Sequence, residues 1–196
     1  MSVIPADSHE QFVASATNCT ACRLCLHRTH LVVSQGLPTS RLMLIGEAPN
    51  EAEDRTGIPL AGSQGKFLER LFARADLSLY EVYVCNVVKC RPPNNRNPTL
   101  EEIRSCRPFL EKQIALVNPA CIITTGKIAT TSVTGTHGLM QVLMQDRDLK
   151  AFGTDIPVVP LYHPAYYLRR INDSSSADLF REAIMNIRRA FEMSLS

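Results

Sequence analysis

The chain has 196 residues, 45% hydrophobic and 20% charged, with a formal net charge of +2. This composition is that of one globular domain and excludes a disordered chain, and no apolar run approaches the roughly 18–20 residues of a membrane-spanning helix. So small a net charge does not argue for an acidic partner, and any nucleic-acid surface must come from local clustering.

The opening MSVIPADSHEQ has no basic segment followed by an apolar stretch, so it does not read as a secretory signal, and a cytoplasmic location is expected. Residues 5–16 suit a short helix, followed by the turn Cys19-Thr20-Ala21-Cys22-Arg23-Leu24-Cys25. Arg41–Ile45, ending at Gly46, is a continuous apolar run that suits a strand buried on both faces. Ser63–Arg74 places Phe67, Leu68, Leu71 and Phe72 on one helical stripe. Val82–Val88 is a second buried strand, rich in β-branched residues, and it carries Asn86 amid apolar neighbours.

A Pro/Asn loop, Arg91–Pro98, leads to Thr99, which with Glu102 makes a capping box. The helix it opens should reach about Val117, with Pro108 kinking or interrupting it. Ala120–Thr125 is a third strand, Gly126–Thr130 opens a helix, Ile156–Tyr162 is a fourth strand ending at His163-Pro164, and Ala177–Phe191 is a final amphipathic helix. Strands alternating with helices predict a three-layer α/β/α fold around a four-stranded, mostly parallel sheet, formed by residues 1–196 as one domain. Ligands of such sheets bind at the carboxyl ends of the strands. The polar strand ends at Gly46–Asn50, Asn86–Arg96 and His163-Pro164 should therefore meet at one pocket.

Seven cysteines are an odd number for a disulfide framework, and in a reducing compartment grouped cysteines bind metal or do chemistry. Cys19 and Cys22, with the distant Cys90 and Cys106, can close a four-thiolate site for zinc or an iron–sulfur cluster; spacing alone does not separate the two. Cys25 is an alternative ligand. Cys85 and Cys121, within and at the start of strands, read as core. Glu47, after a buried strand and a glycine, is a candidate base or water-orienting group. Asn86 either bonds internal backbone or reads a ligand, because a buried amide left unpaired is costly. His163 is a candidate acid or electrophile.

Taken in order, Gly46-Glu47-Ala48-Pro49, Glu53-Asp54, Gly57-Ile58-Pro59, Gly62-Ser63-Gln64-Gly65, the run from Asn86 to Arg96, and His163-Pro164-Ala165-Tyr166 carry a specific resemblance. From Cys19 to about Arg170 the chain resembles the family 4 uracil-DNA glycosylases, the iron–sulfur members of the uracil-DNA glycosylase superfamily. The resemblance implies a monomeric enzyme that acts on DNA and hydrolyses the N-glycosidic bond, leaving an abasic site. It also implies a structural [4Fe–4S] cluster on Cys19, Cys22, Cys90 and Cys106, held by an N-terminal loop, with Cys25 at a non-ligand position.

On that pattern a flipped base enters a pocket made by Gly46, Ala48, Asn50, Leu60 and Asn86. His163 hydrogen-bonds its O2 side, Asn86 reads N3 and position 4, and Glu47 positions water. Lys89, Arg91, Arg96, Arg169 and Arg170 would hold phosphates, and Tyr166, Tyr167 or Leu168 would fill the vacated stack. Two positions depart from the family: Leu60 stands for an aromatic residue that stacks on uracil, and Asn50 for a glycine. These differences leave open a modified pyrimidine, such as a 5-substituted cytosine of phage DNA met in a defence role. A DNA-binding iron–sulfur module with little catalysis is the reading from another class, and Glu47, Asn86 and His163 together speak against it.

Overall fold

The computed structural model describes residues 6–137 and 149–195. Four strands, β1 (Leu42–Gly46), β2 (Val82–Asn86), β3 (Cys121–Thr125) and β4 (Val158–Leu161), form one sheet in the order β2-β1-β3-β4. All of its pairings are parallel, so the sheet is fully rather than mostly parallel. Every residue of β1, β2 and β3 is buried, as expected where helices cover both faces.

Strand alternation divides the core into two layers. Met43, Ile45, Tyr83, Cys85 and Ile122 pack with Leu110, Ile114 and Val117 of α4 (Leu100–Val117) and with Ala129 and Val133 of α5 (Lys127–Thr134). Leu42, Leu44, Val82, Val84, Ile123 and Val159 face the other way. They meet Phe67, Leu68, Leu71 and Phe72 of α3 (Ser63–Arg74), and Ala183, Ile187 and Ala190 of the C-terminal helix (Ser176–Leu195). A smaller cluster of Phe12, Ala16, Val33 and Leu116 docks α1 (Ala6–Thr17) beside α4.

Several boundaries differ from the sequence expectations. β2 stops at Asn86, because Val87 and Val88 donate backbone hydrogen bonds to Gly46 and Glu47 outside the ladder. Asn86 therefore ends a strand rather than sitting within one. α4 continues uninterrupted past Pro108. An internal proline costs roughly 3 kcal/mol, but Pro108 lies on the exposed side of the helix, where water can meet the carbonyl that loses its partner, while Cys106, Leu110 and Ile114 anchor the other side. Two short helices were not read from the pattern: α2 (Glu51–Thr56) and α6 (Pro164–Arg169), with the C-terminal helix becoming α7. At two turns apiece or less, they carry too little apolar periodicity to register.

Candidate active site and a cysteine-lined cavity

The chain runs from β1 outward to β2, then returns to place β3 on the other side of β1, so the crevice between β1 and β3 lies where strand order reverses. A cleft of about 360 Å³ opens at the carboxyl end of the sheet. Its walls are Glu47 to Asn50 after β1, residues between Pro92 and Pro98 after β2, and His163, Ala165 and Arg169 after β4. Three separate strand ends therefore meet, as expected.

Glu47 reaches across the crevice. One carboxylate oxygen, Oε1, accepts the Ile128 N–H at the start of α5 (2.9 Å). A side chain on Gly126, which holds a positive φ of 96°, would overlap that carboxylate, so the glycine makes the approach possible. Burial pushes the Glu47 carboxyl above its ordinary value, and the Ile128 bond opposes the rise.

His163 is the N-cap of α6, with Pro164 at the first helical position. Its Nδ1 accepts the Ala165 N–H at 3.2 Å. An accepting Nδ1 leaves Nε2 to carry the proton of the neutral ring. Burial, helped by Arg169, holds the imidazole below its ordinary value, so the neutral form prevails near pH 7.

Asn86 does not line the cleft. It pairs in register with Gly46, is 5% exposed, and its Nδ2 donates to Glu53 Oε1 at 3.3 Å. Its partner is thus a carboxylate rather than backbone. A Cβ on Gly46 would overlap Asn86 Oδ1, so a larger residue there would displace the amide. Glu53 also accepts the Asn50 N–H and the Leu60 N–H, each at 2.8 Å. This buried glutamate ties the end of β2 to the start of α2 and to the following loop. Its signal in the sequence is Asn50-x-x-Glu53, the spacing of a capping box.

Other proposed contacts are placed differently. Lys89 is 2% exposed and donates from Nζ to the Asn86 carbonyl, so it faces the interior rather than phosphate. Tyr167 is 2% exposed and stacks on Phe67, which takes it away from any DNA surface. Arg96 borders the cleft but forks onto Glu102 at 2.6 and 2.8 Å, while Arg91 meets Asn95 and Glu51. Arg170 lies over the Tyr166 ring, and Arg169 lines the cleft. Asn50 lines it too, but its Oδ1 caps α2 by accepting from Ala52 and Glu53. Leu60, at a φ of 61°, packs against the α3 side of the core and is not part of the cleft wall.

A second cavity lies beneath α1 and α4, lined by Cys19, Cys22, Cys25, Cys90 and Cys106. Arg28 Nη1 donates to Cys90 Sγ at 3.3 Å and to the Cys19 carbonyl at 2.9 Å, and Lys89 also borders the cavity. Burial raises the thiols of Cys22 and Cys90, and that of Cys106 to about 11. Among the described residues no group of Cys, His, Asp or Glu converges on a single metal ion. Thiolates are the donors that zinc or an iron–sulfur cluster takes, and five cysteines border this cavity with Arg28 and Lys89 beside them. Cys85 and Cys121 are fully buried in the sheet.

The family described as the uracil DNA glycosylase superfamily matches residues 33–188. The chain is 38% identical over 172 residues to a type-4 uracil-DNA glycosylase of Thermotoga maritima, covering 88% of this chain and 87% of that one. A protein of the same name from Archaeoglobus fulgidus is 32% identical over 169 residues, covering 84% and 85%. A type-5 uracil-DNA glycosylase of Thermus thermophilus is 29% identical over 217 residues, covering 92% and 97%.

Proposed function

The chain belongs to the uracil DNA glycosylase superfamily and is a DNA glycosylase, and from that premise we propose that it excises uracil flipped out of DNA, leaving an abasic site for base excision repair. The observation that carries this reading is the meeting of His163 and Glu47 at one cleft, the first with its proton on Nε2 and the second anchored on α5.

Cleavage sends the electron pair of the C1′–N1 bond into the base and leaves positive character on the sugar. The His163 Nε2–H donates to the O2 side, where the negative charge grows, as an oxyanion site does. A water oxygen bonds to C1′, and the proton that it loses ends on the departing base, which leaves as neutral uracil. The Glu47 oxygen not held by Ile128 orients that water, with backbone groups around Ala48 beside it. Asn86, set behind Gly46 at the end of β2 and off the cleft wall, would meet N3 and O4 only of a base that enters past that wall. Arg169 supplies local positive charge at the rim.

Cys19, Cys22, Cys90 and Cys106 would hold a [4Fe–4S] cluster that pins the loop after β2 to the N-terminal turn. Arg28 and Lys89 offset its negative charge. The modified-pyrimidine reading rested on Asn50 and Leu60. With the Asn50 oxygen engaged as a cap and Leu60 packed on the core, neither favours it. The test is a panel of oligonucleotides carrying uracil, thymine, hypoxanthine or 5-substituted cytosine, read by strand scission after alkali. Uracil should be cut in preference to the rest. Preference for a 5-substituted cytosine, or no cleavage at all, would overturn the proposal.

A further inference from the structure

A primary amide has two nearly isosteric ends, so an asparagine that reads a pyrimidine edge is ambiguous until something fixes its rotation. Presented one way, Asn86 offers Oδ1 to a donor at N3 and N–H to an acceptor at position 4, which is the uracil edge. Rotated by half a turn, it offers N–H to an acceptor at N3 and Oδ1 to a donor at position 4, which is the cytosine edge. The two bases differ at these atoms, and cytosine is the normal base that must be spared.

The neighbours of Asn86 are not symmetric. Its Nδ2 faces Glu53 Oε1, and its Oδ1 faces Gly46. An ionised carboxylate accepts hydrogen bonds and cannot donate one. Turning the amide over would set Oδ1 against Oε1 in a buried place, where two acceptors repel and neither is solvated. Glu53 is itself held against rotation by the Asn50 and Leu60 N–H groups. Lys89 adds a fix on the same residue by donating to the Asn86 carbonyl.

We infer that Glu53 is a specificity-determining positioning residue, whose carboxylate locks the Asn86 amide in the orientation that pairs with uracil and refuses cytosine. The inference rests on the glycosylase reading for its consequence, though not for its geometry. One proton of the amide nitrogen goes to Glu53, which leaves Oδ1 and the other N–H as an adjacent acceptor–donor pair for the base. A neutral glutamine at position 53 has both a donor and an acceptor, so it tolerates either orientation.

The test compares wild type, Glu53→Gln and Glu53→Asp on matched oligonucleotides holding uracil or cytosine, under single-turnover conditions. In Glu53→Gln, uracil excision should fall while cytosine excision becomes measurable, narrowing the ratio of the two rates by about tenfold or more, the scale of one misplaced buried hydrogen bond. Glu53→Asp, still acceptor-only but one methylene short of the 3.3 Å contact, should lose rate and narrow the ratio less than Glu53→Gln, because no donor is offered to the turned amide. A Glu53→Gln variant that loses uracil activity with no gain on cytosine would overturn the inference, since simple structural damage has that signature. A second readout does not depend on catalysis: the side-chain amide of Asn86 in the free protein, followed by 15N–1H NMR. One of its two protons should be deshielded and slow to exchange in wild type, and should lose both properties in Glu53→Gln. Two equivalent, fast-exchanging protons in wild type would refute the lock, whatever the enzyme cuts. A wild type inactive on uracil with a protected Asn86 proton would instead sink the functional reading and leave the lock standing.

Discussion

His163→Ala removes two separate contributions of one ring, and their sizes differ. The Nδ1 acceptor caps α6 at the Ala165 N–H, and losing an N-cap costs about 1 kcal/mol of stability. For a domain of this length that lowers Tm by only about 2–4 °C. The Nε2–H acts on the transition state, where removal of one preorganised donor costs about 100- to 1,000-fold in rate, or roughly 3–4 kcal/mol. The variant should therefore remain folded by circular dichroism at 25 °C, bind uracil-containing DNA nearly as well as wild type, and excise uracil at least about 100-fold more slowly. His163→Asn separates the two effects, because asparagine is an equally good N-cap but shorter: Tm should recover and the rate should not. Single-turnover alkaline scission of an end-labelled oligonucleotide gives the rate, and gel mobility shift gives the affinity. Wild-type turnover in His163→Ala, or recovery of rate with the cap in His163→Asn, would refute the assignment of the donor.

The same ring contributes to the pH dependence of stability. Its folded value lies below the ordinary 6.5, so the cap it provides is complete above that pH and is lost as pH falls through the lower folded value, when a proton on Nδ1 opposes the Ala165 N–H; a His163→Asn variant that loses as much Tm on acidification below pH 6.5 as wild type would contradict this. Gly46→Ala should drive a methyl into Asn86 Oδ1 and cut uracil kcat/KM by tenfold or more at roughly constant DNA affinity; unchanged kcat/KM would place the amide elsewhere. Glu102 is held down to about 2, chiefly by Arg96, and also receives the Thr99 N–H, so its stabilisation is present above about pH 4.5 and fades as pH falls toward 2. Glu102→Gln should lower stability by about 1–2 kcal/mol at pH 7 in urea titrations, and an unchanged midpoint would exclude the fork as a stabilising contact. Cys90→Ser should lose most bound iron and visible absorbance while Cys25→Ser keeps about four irons per chain; the reverse result would exchange the ligand assignment.

Much of the fold was legible because its signals are local and repeated. Period-free apolar runs marked the strands from Leu42, Val82, Cys121 and Val158, and the stripe of Phe67, Leu68, Leu71 and Phe72 marked a helix that packs on one face. Strand and helix alternation then determined a parallel sheet and the end at which a site must lie, and the resemblance added what the polar strand ends do. What the sequence could not decide was which polar residues face outward. Lys89 sits in a basic-looking loop beside Arg91, yet its Nζ turns inward to a carbonyl at the end of β2. Tyr167 follows Tyr166 in a helix of six residues, where a 100° step buries one ring on Phe67 and leaves the other half exposed. Asn50 reads as a pocket residue and Glu53 only as part of a motif in one dimension, and they become a helix cap and a buried node in three. Residue type and spacing determine which elements form, because those depend on near neighbours along the chain. The direction in which a charged or amide group is finally satisfied depends on partners 33 or 81 positions away, as with Asn86 and Glu53, or Ile128 and Glu47, and only packing brings those together.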